Sequence, residues 1–321
     1  MKKLLNFISC MALCIGLLPW NANAARMLIP GGQAIGLELQ DNTVTVAAFD
    51  DALGASAREA GLQPGDKLTS IDRRPITSAE DVRDALARSD GSVVLGVERG
   101  SKKMQLRVSP AITQEGPRLG VYLRQGMTGI GTVTWYDPED GTFGTLGHGI
   151  SDGKGSLIGM KSGNAYSASI LSVKKGKAGE PGQLQGAIEE TGILGALSRN
   201  TEQGVFGSAA ARSGEAVETA SLSQVHTGKA VIRSTVSGTA VREYSVEILK
   251  IYPKSRDSGR NFLLRVTDPS LLEATGGIVQ GMSGSPILQD GKLIGAVTHV
   301  LVNDPTTGYG IGIDNMLEAA A

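Results

Sequence analysis

Thiols, histidines and aromatic rings are all scarce in this chain. Its two cysteines, Cys10 and Cys14, sit in an apolar leader, and no cysteine follows them. A thiolate nucleophile and a disulfide framework are thereby excluded from the body of the protein. Only three histidines occur, His148, His226 and His299, too far apart for metal-ligand spacing, so the sequence offers no metal site and calls for no cofactor. Positive charge is not in excess either. There are 31 Lys and Arg against 32 Asp and Glu, and loss of a leader holding Lys2 and Lys3 would take the formal charge from −1 to −3. Such a balance leaves no footprint for nucleic acid. Five Phe and two Trp, with no dominant run of helical period, speak against a helical bundle.

What the chain does have is glycine. Its 44 glycines separate short alternating runs, a pattern of many strands joined by tight turns, and predict a mainly β fold. At 321 residues the chain exceeds what one hydrophobic core usually supports, so two domains are expected. Lys2 and Lys3, the apolar run Leu4 to Trp20, and Ala22-Asn23-Ala24 follow the charged, apolar, small-residue order of a secretory signal. Residues 1–24 are therefore expected to direct export and to be cleaved after Ala24. The alternative is an uncleaved anchor, because the apolar run is about as long as the shortest membrane-spanning helices.

Residues 28–110 read as a compact α+β module. Thr43 to Ala48, Lys67 to Ile71 and Val93 to Val97 alternate as strands, and Thr77 with Glu80 forms a capping box ahead of the helical spacing of Val82, Ala85 and Leu86. The turn Gly61-Leu62-Gln63-Pro64-Gly65-Asp66 gives the module its resemblance to a PDZ domain of the bacterial type. That resemblance implies capture of a peptide by strand addition, with Ala34, Ile35, Gly36 and Leu37 offering N–H groups to a terminal carboxylate. Residues 111–117, with Gln114-Glu115-Gly116-Pro117, read as a linker. Beyond it, residues 118–321 carry many short strands, consistent with paired β-barrels in one catalytic unit.

The chemistry concentrates in Gly281-Met282-Ser283-Gly284-Ser285-Pro286. A serine between glycines, followed by the hairpin signal Asp290-Gly291, displays a hydroxyl on a rigid turn and lets the N–H groups of Gly281 and Ser283 form an oxyanion hole. Serine needs a base. His148, between two glycines and 135 residues before Ser283, is the first choice. His299, 16 residues after the serine, is the rival, with a half-buried strand histidine as its simpler reading. His226 lies in a polar stretch and reads as exposed. For the group that orients the base, Asp268 is the candidate, although Asp268-Pro269 also reads as the N-cap and first position of a short helix. Asp152 and Asp304 compete, and each is more simply a turn residue.

Taken together, Thr145-Leu146-Gly147-His148-Gly149-Ile150, Val266-Thr267-Asp268-Pro269, Gln280 to Pro286, Gly295 to Val300, Asn303-Asp304-Pro305 and Gly308 to Ile311 resemble the SpoIVB peptidases, the stage IV sporulation protein B proteases of endospore-forming bacteria. The resemblance spans nearly the whole chain after the leader. It implies a chymotrypsin-like double β-barrel preceded by a PDZ domain, and a triad of His148, Asp268 and Ser283. It further implies a signalling serine endopeptidase, exported from the forespore into the intermembrane space of the sporangium and peripheral to the membrane. Its expected protein substrates are itself and the regulatory subunit of a membrane-embedded metalloprotease, which then processes a mother-cell pro-sigma factor. Two other functions remain open: a PDZ adaptor with a catalytically silent protease-like domain, and a periplasmic quality-control serine protease.

Overall fold

The computed structural model describes residues 26–152, 155–210, 213–253 and 259–321. The expected secretory leader, with Cys10 and Cys14, lies outside the described residues. The fold is mainly β and has three hydrophobic cores of interest, one in each of two barrels and one in a PDZ module. Residues alternate between core and surface along many strands. In Gly228–Ser234, for example, Ala230, Ile232 and Ser234 are buried while Lys229 is exposed and Val231 and Arg233 are half-exposed, which is how period-2 patterning seats one face of a sheet on a core.

Six strands close the second barrel: Gly228–Ser234, Arg242–Ile251, Phe262–Val266, Asp304–Gly312, Lys292–Leu301 and Pro286–Gln289, in that ring order. Ile232, Val246, Phe262, Leu264, Ile287 and Val297 fill it. The first barrel is also a ring of six. Val121–Tyr136 pairs with Thr142–Thr145, which is followed around the ring by Gly204–Ala209, Gln183–Thr201, Met160–Lys174 and Ala34–Phe49, the last pairing back to Val121–Tyr136. Its interior holds Ile35, Leu37, Leu39, Val133, Phe143 and Leu197.

The PDZ module does not simply precede the barrels; it is spliced into the first one. The strand Ala34–Phe49 runs outward from the barrel, and Val121–Tyr136 returns beside it, the two pairing from Ala34 opposite Thr132 to Phe49 opposite Val121. Between Leu39 and Val44 the register breaks, with Leu39 opposite Met127 and Val44 opposite Gln125. Inward of that break the side chains belong to the barrel core; outward, Val44 and Val46 join Leu68, Ile71, Val82, Leu86, Val93 and Leu95 in the PDZ core.

The expected module boundary at residue 28 is thus displaced. Met27–Pro30 pairs with Trp135 and Tyr136 and with Val217–Glu218, on the protease side. The expected carboxylate loop is displaced with it. Ala34, Ile35, Gly36 and Leu37 form a strand hydrogen-bonded on both edges, to residues 129–132 on one side and to residues 165–167 on the other, and Ile35 and Leu37 are buried in the barrel. A central strand has no free N–H row to offer a ligand. The expected linker is a small hairpin, Ala111–Thr113 with Gly116–Arg118.

Two local features of the module are set by single carboxylates. The helix Ala79–Ala87 is capped one residue later than its sequence suggests: Ser78 and Asp81 form the capping box, because the Asp81 carboxylate also collects the N–H and hydroxyl of Thr77. Asp66, 1% exposed, accepts two hydrogen bonds from Arg99 at 2.7 and 2.8 Å and one from the Gln63 N–H, which locks the Pro64-Gly65 turn. A bidentate guanidinium satisfies a buried carboxylate that would otherwise be costly.

Candidate active site

Ser283 and His148 come from different barrels and meet in the cleft between them. The cleft has a volume of about 440 Å³, and its lining includes His148, Gln280, Gly281, Ser283, Thr298 and His299. Among the described residues no acidic or basic side chain other than the two imidazoles lines it.

The serine turn is held from outside by the returning strand. Thr132 donates its N–H to the Ser283 carbonyl at 3.0 Å and its hydroxyl to the Gly281 carbonyl at 2.8 Å. Thr134 donates its hydroxyl to the Gly284 carbonyl at 2.8 Å. Both threonines are fully buried. Gly281 and Gly284 adopt φ of 98° and 94°, and a Cβ on Gly284 would lie 2.0 Å from the Thr132 carbonyl oxygen, so only glycine fits there. Among the described residues the N–H groups of Gly281 and Ser283 have no acceptor, whereas those of Met282, Gly284 and Ser285 are used within the fold. These are the two donors expected of an oxyanion hole, left free on the cleft-lining turn. Ser285, fully buried and bonded to Ser234 at 3.1 Å, is structural.

His148 follows a sharp bend. Leu146 and Gly147 both take left-handed conformations, with φ of 68° and 67°, and a Cβ on Gly147 would strike Thr298 and Ile311 at 2.8 and 2.9 Å. A leucine held at positive φ is local strain, of the kind that clusters at working sites. The His148 Nδ1 lies 2.9 Å from the Gly149 carbonyl oxygen. A carbonyl can only accept, so Nδ1 carries the proton and Nε2 keeps its lone pair, the tautomer a general base requires. Burial holds the His148 pKa below its ordinary value, and the Gly149 carbonyl opposes this.

Asp268 is not part of this constellation. Its carboxylate accepts from the N–H groups of Ser270 and Leu271 and from the Ser270 hydroxyl at 2.6 Å, with the Ser245 N–H at 3.3 Å, and it caps the helix Pro269–Thr275. The Ser270 hydroxyl first, helped by these N–H groups, holds its pKa below the usual carboxylate range. No hydrogen bond joins it to His148, and it does not line the cleft. The competing reading of Asp268-Pro269 as a helix start is the one realised, because a carboxylate committed to a helix N-terminus satisfies N–H groups that have no other partner.

His299 does lie in the cleft, its ring centroid 5.3 Å from that of His148. Burial above all, with the positive charges of His148 and Arg260 added, lowers its pKa to about 4. Its Nδ1 is buried without a hydrogen-bond partner. His226 is exposed and bridges to Asp290 at 2.9 Å, away from the cleft. Asp152 and Asp304 serve turns, Asp152 accepting from the Ser156 N–H and Asp304 from the hydroxyls of Thr306 and Thr307. In the structure as it stands the Ser283 hydroxyl donates to the Thr298 carbonyl at 2.9 Å, so a hydrogen bond to His148 would require it to rotate away from Thr298. Among the described residues no group of three or more His, Cys, Asp or Glu is arranged to hold a metal.

Sequence reasoning missed Thr132, Thr134, Thr298 and the Gly149 carbonyl. Thr132 and Thr134 are 149 and 150 residues from the carbonyls their hydroxyls hold, and nothing in a strand's alternation marks which hydroxyl will meet a distant turn. The PDZ groove was also missed. It is a hollow of about 860 Å³ between the helix Ala79–Ala87 and the start of the returning strand, with Val82, Arg83, Leu86, Arg118, Gly120 and Leu123 in its lining. A glycine after an apolar residue, Leu119-Gly120, was its only signal.

The SpoIVB peptidase S55 family profile matches residues 115–317, and a PDZ domain profile matches residues 53–99. A candidate zinc metalloprotease of Rhizobium meliloti, R01501, is 30% identical over 174 residues, covering 51% of this chain and 44% of that protein. Mitochondrial serine protease HTRA2 of Drosophila persimilis is 38% identical over 58 residues, 18% of this chain and 14% of that protein. The chain spans less than half the length of these curated relatives. Among solved structures, the Rv3671c protease in its inactive form is similar at 14% identity and a TM-score of 0.36, over 61% of this chain and 85% of that one.

Proposed function

Because the chain belongs to the SpoIVB peptidase S55 family, we propose that it is a serine endopeptidase acting in sporulation signalling. Ser283 is the nucleophile and His148 the base. As the Ser283 oxygen bonds to the scissile carbonyl carbon, its proton passes to His148 Nε2, while the Gly149 carbonyl keeps Nδ1–H in place and stabilises the imidazolium. The oxyanion accepts from the Ser283 and Gly281 N–H groups. His148 then returns the proton to the leaving amine, and water repeats the cycle on the acyl-enzyme. The observation that carries this reading is the pair of free N–H groups on the turn that lines the cleft with Ser283 and His148.

The substrates in this reading are the protein itself and a regulatory subunit of a membrane-embedded metalloprotease that processes a mother-cell pro-sigma factor. The protein acts outside the forespore, in the intermembrane space and peripheral to the membrane, with residues 1–24 directing export. The PDZ module captures peptides for it. Incubating purified wild type beside Ser283→Ala, on casein and alone, tests the chemistry. New N-termini should appear only with wild type, and casein turnover by the Ser283→Ala chain would overturn the assignment. The hydroxyl's bond to Thr298 favours a second reading, an adaptor that signals by binding alone. Labelling of Ser283 by a fluorophosphonate excludes it.

A further inference from the structure

The PDZ groove and the catalytic cleft share one strand. Val121, Tyr122 and Leu123 line the groove, and Met127, Thr128, Gly129 and Ile130 line the cleft, all on Val121–Tyr136. One edge of that strand is paired to Ala34–Phe49 from Val121 to Thr132. The other is taken up by Thr142–Thr145 only from Val133 onward, and Thr132 gives its N–H to the Ser283 carbonyl. Between Val121 and Gly131 this second edge has no strand partner among the described residues, and residues 121–130 are half-exposed or exposed throughout. Open edge therefore runs from the groove to the nucleophile without interruption.

Free hydrogen-bond donors set the direction in which a chain would lie there. At the Val121 end the groove is lined by the hairpin of residues 111–118. Among the described residues the N–H groups of Leu119 and Gly120 have no acceptor and Arg83 in the groove wall has no carboxylate partner, whereas Arg118 is paired with Glu115 and Asp50 also lines the groove. Two free N–H groups with the unpaired Arg83 guanidinium in the same groove suit a terminal carboxylate. A chain whose C-terminus sits at Gly120 and which pairs with this edge runs antiparallel to it, so its upstream residues travel toward Ser283.

Building on the protease reading above, we propose that the free edge of Val121–Tyr136 is a ruler. A substrate whose C-terminal carboxylate is held at Leu119-Gly120 adds as a strand along the edge, and the bond presented to Ser283 lies at a set distance from that terminus. Eleven strand residues from Val121 to Gly131, at about 3.4 Å each, span roughly 37 Å. The cut then falls roughly ten residues before the substrate's end, with a residue or two of slack at the kink of Gly126, whose φ is 78°. The partner class is accordingly an extended polypeptide with a free C-terminus.

The test uses the full chain and a pool of sixteen-residue random-sequence peptides sharing a C-terminal valine, as free acids and as amides. Released C-terminal fragments from the acids should cluster at roughly ten residues, and amidation should lower kcat/KM at least tenfold and broaden the cluster. Arg83→Glu should remove most of the preference for acid over amide. Fragment lengths that are scattered alike for acids and amides overturn the ruler. Independently of turnover, the pool member best retained by the Ser283→Ala chain should slow amide exchange at both Val121–Leu123 and Met127–Ile130. Protection confined to Val121–Leu123, or no peptide retained, overturns it. Protection of both segments without turnover by wild type would keep the ruler and overturn the protease reading instead.

Discussion

At the scale of residues, the proposed mechanism requires a neutral His148 to take the Ser283 proton, and burial holds its pKa below 6.5. The rate should therefore rise with pH through an apparent pKa below 6.5; an apparent pKa above 7 in kcat/KM would contradict this. Stability should follow the same sign. His148 and His299 are both depressed, His299 to about 4, so the unfolded chain binds protons that the folded one refuses. Stability is full above pH 6.5 and is lost as pH falls toward 4. Urea midpoints at pH 7 and pH 5 should show the loss, and His299→Gln should lessen it. Asp268 gives the sharpest choice at this scale. As the helix cap it predicts a loss of about 1 kcal/mol on Asp268→Ala, and kcat within about tenfold of wild type for Asp268→Asn. A fall of about 10⁴ in kcat for the asparagine variant would instead place Asp268 in a triad.

The elements that matter most are the serine turn and the strand beneath it. The turn depends on Thr132 and Thr134 for the placement of three carbonyls, so the free N–H groups of Gly281 and Ser283 are positioned by a strand of the other barrel. Thr134→Val leaves the Gly284 carbonyl without its donor in a buried place, which should cost about 1 to 3 kcal/mol. Thr132→Val should cost a similar amount and lower kcat more than it raises KM, because the Gly281 carbonyl belongs to the turn proposed to hold the oxyanion. Denaturant titration with steady-state kinetics checks both. Gly284→Ala combines a left-handed φ with a backbone collision and should give no folded protein. Soluble, active Gly284→Ala would show that the turn can shift.

In the whole molecule, the splice of the PDZ module into the first barrel has a direct consequence for surgery on the chain. Leu39 faces Met127 at the base of the ribbon. Replacing residues 40–126 by Asn-Gly should close a hairpin there and leave both barrels folded. Removing residues 28–110 instead deletes the strand that closes the first barrel and should leave no folded protease core. Circular dichroism and thermal melting of the two deletions distinguish the spliced arrangement from a sequential one.

The mainly β class and the PDZ turn were legible because each rests on local rules, and the serine turn and His148 could be singled out as candidates on the same ground. Alternation reports burial, positive-φ turns need glycine, and a displayed serine needs flanking backbone freedom. Asp268 also obeyed a local rule, helix capping, and both its readings stood in the sequence unranked. What only the tertiary structure decided were matters of which distant segments meet. Ala34 to Leu37 looked like a loop beside a module, but the strand pairs of a closed barrel claim both its edges. Thr132 and Thr134 became supports of the active site only through register, and two sites came to share one strand because a ribbon leaves a barrel and returns to it. Pairing across a hundred or more residues is chosen by the summed burial of whole sheets, and no window of sequence contains that sum.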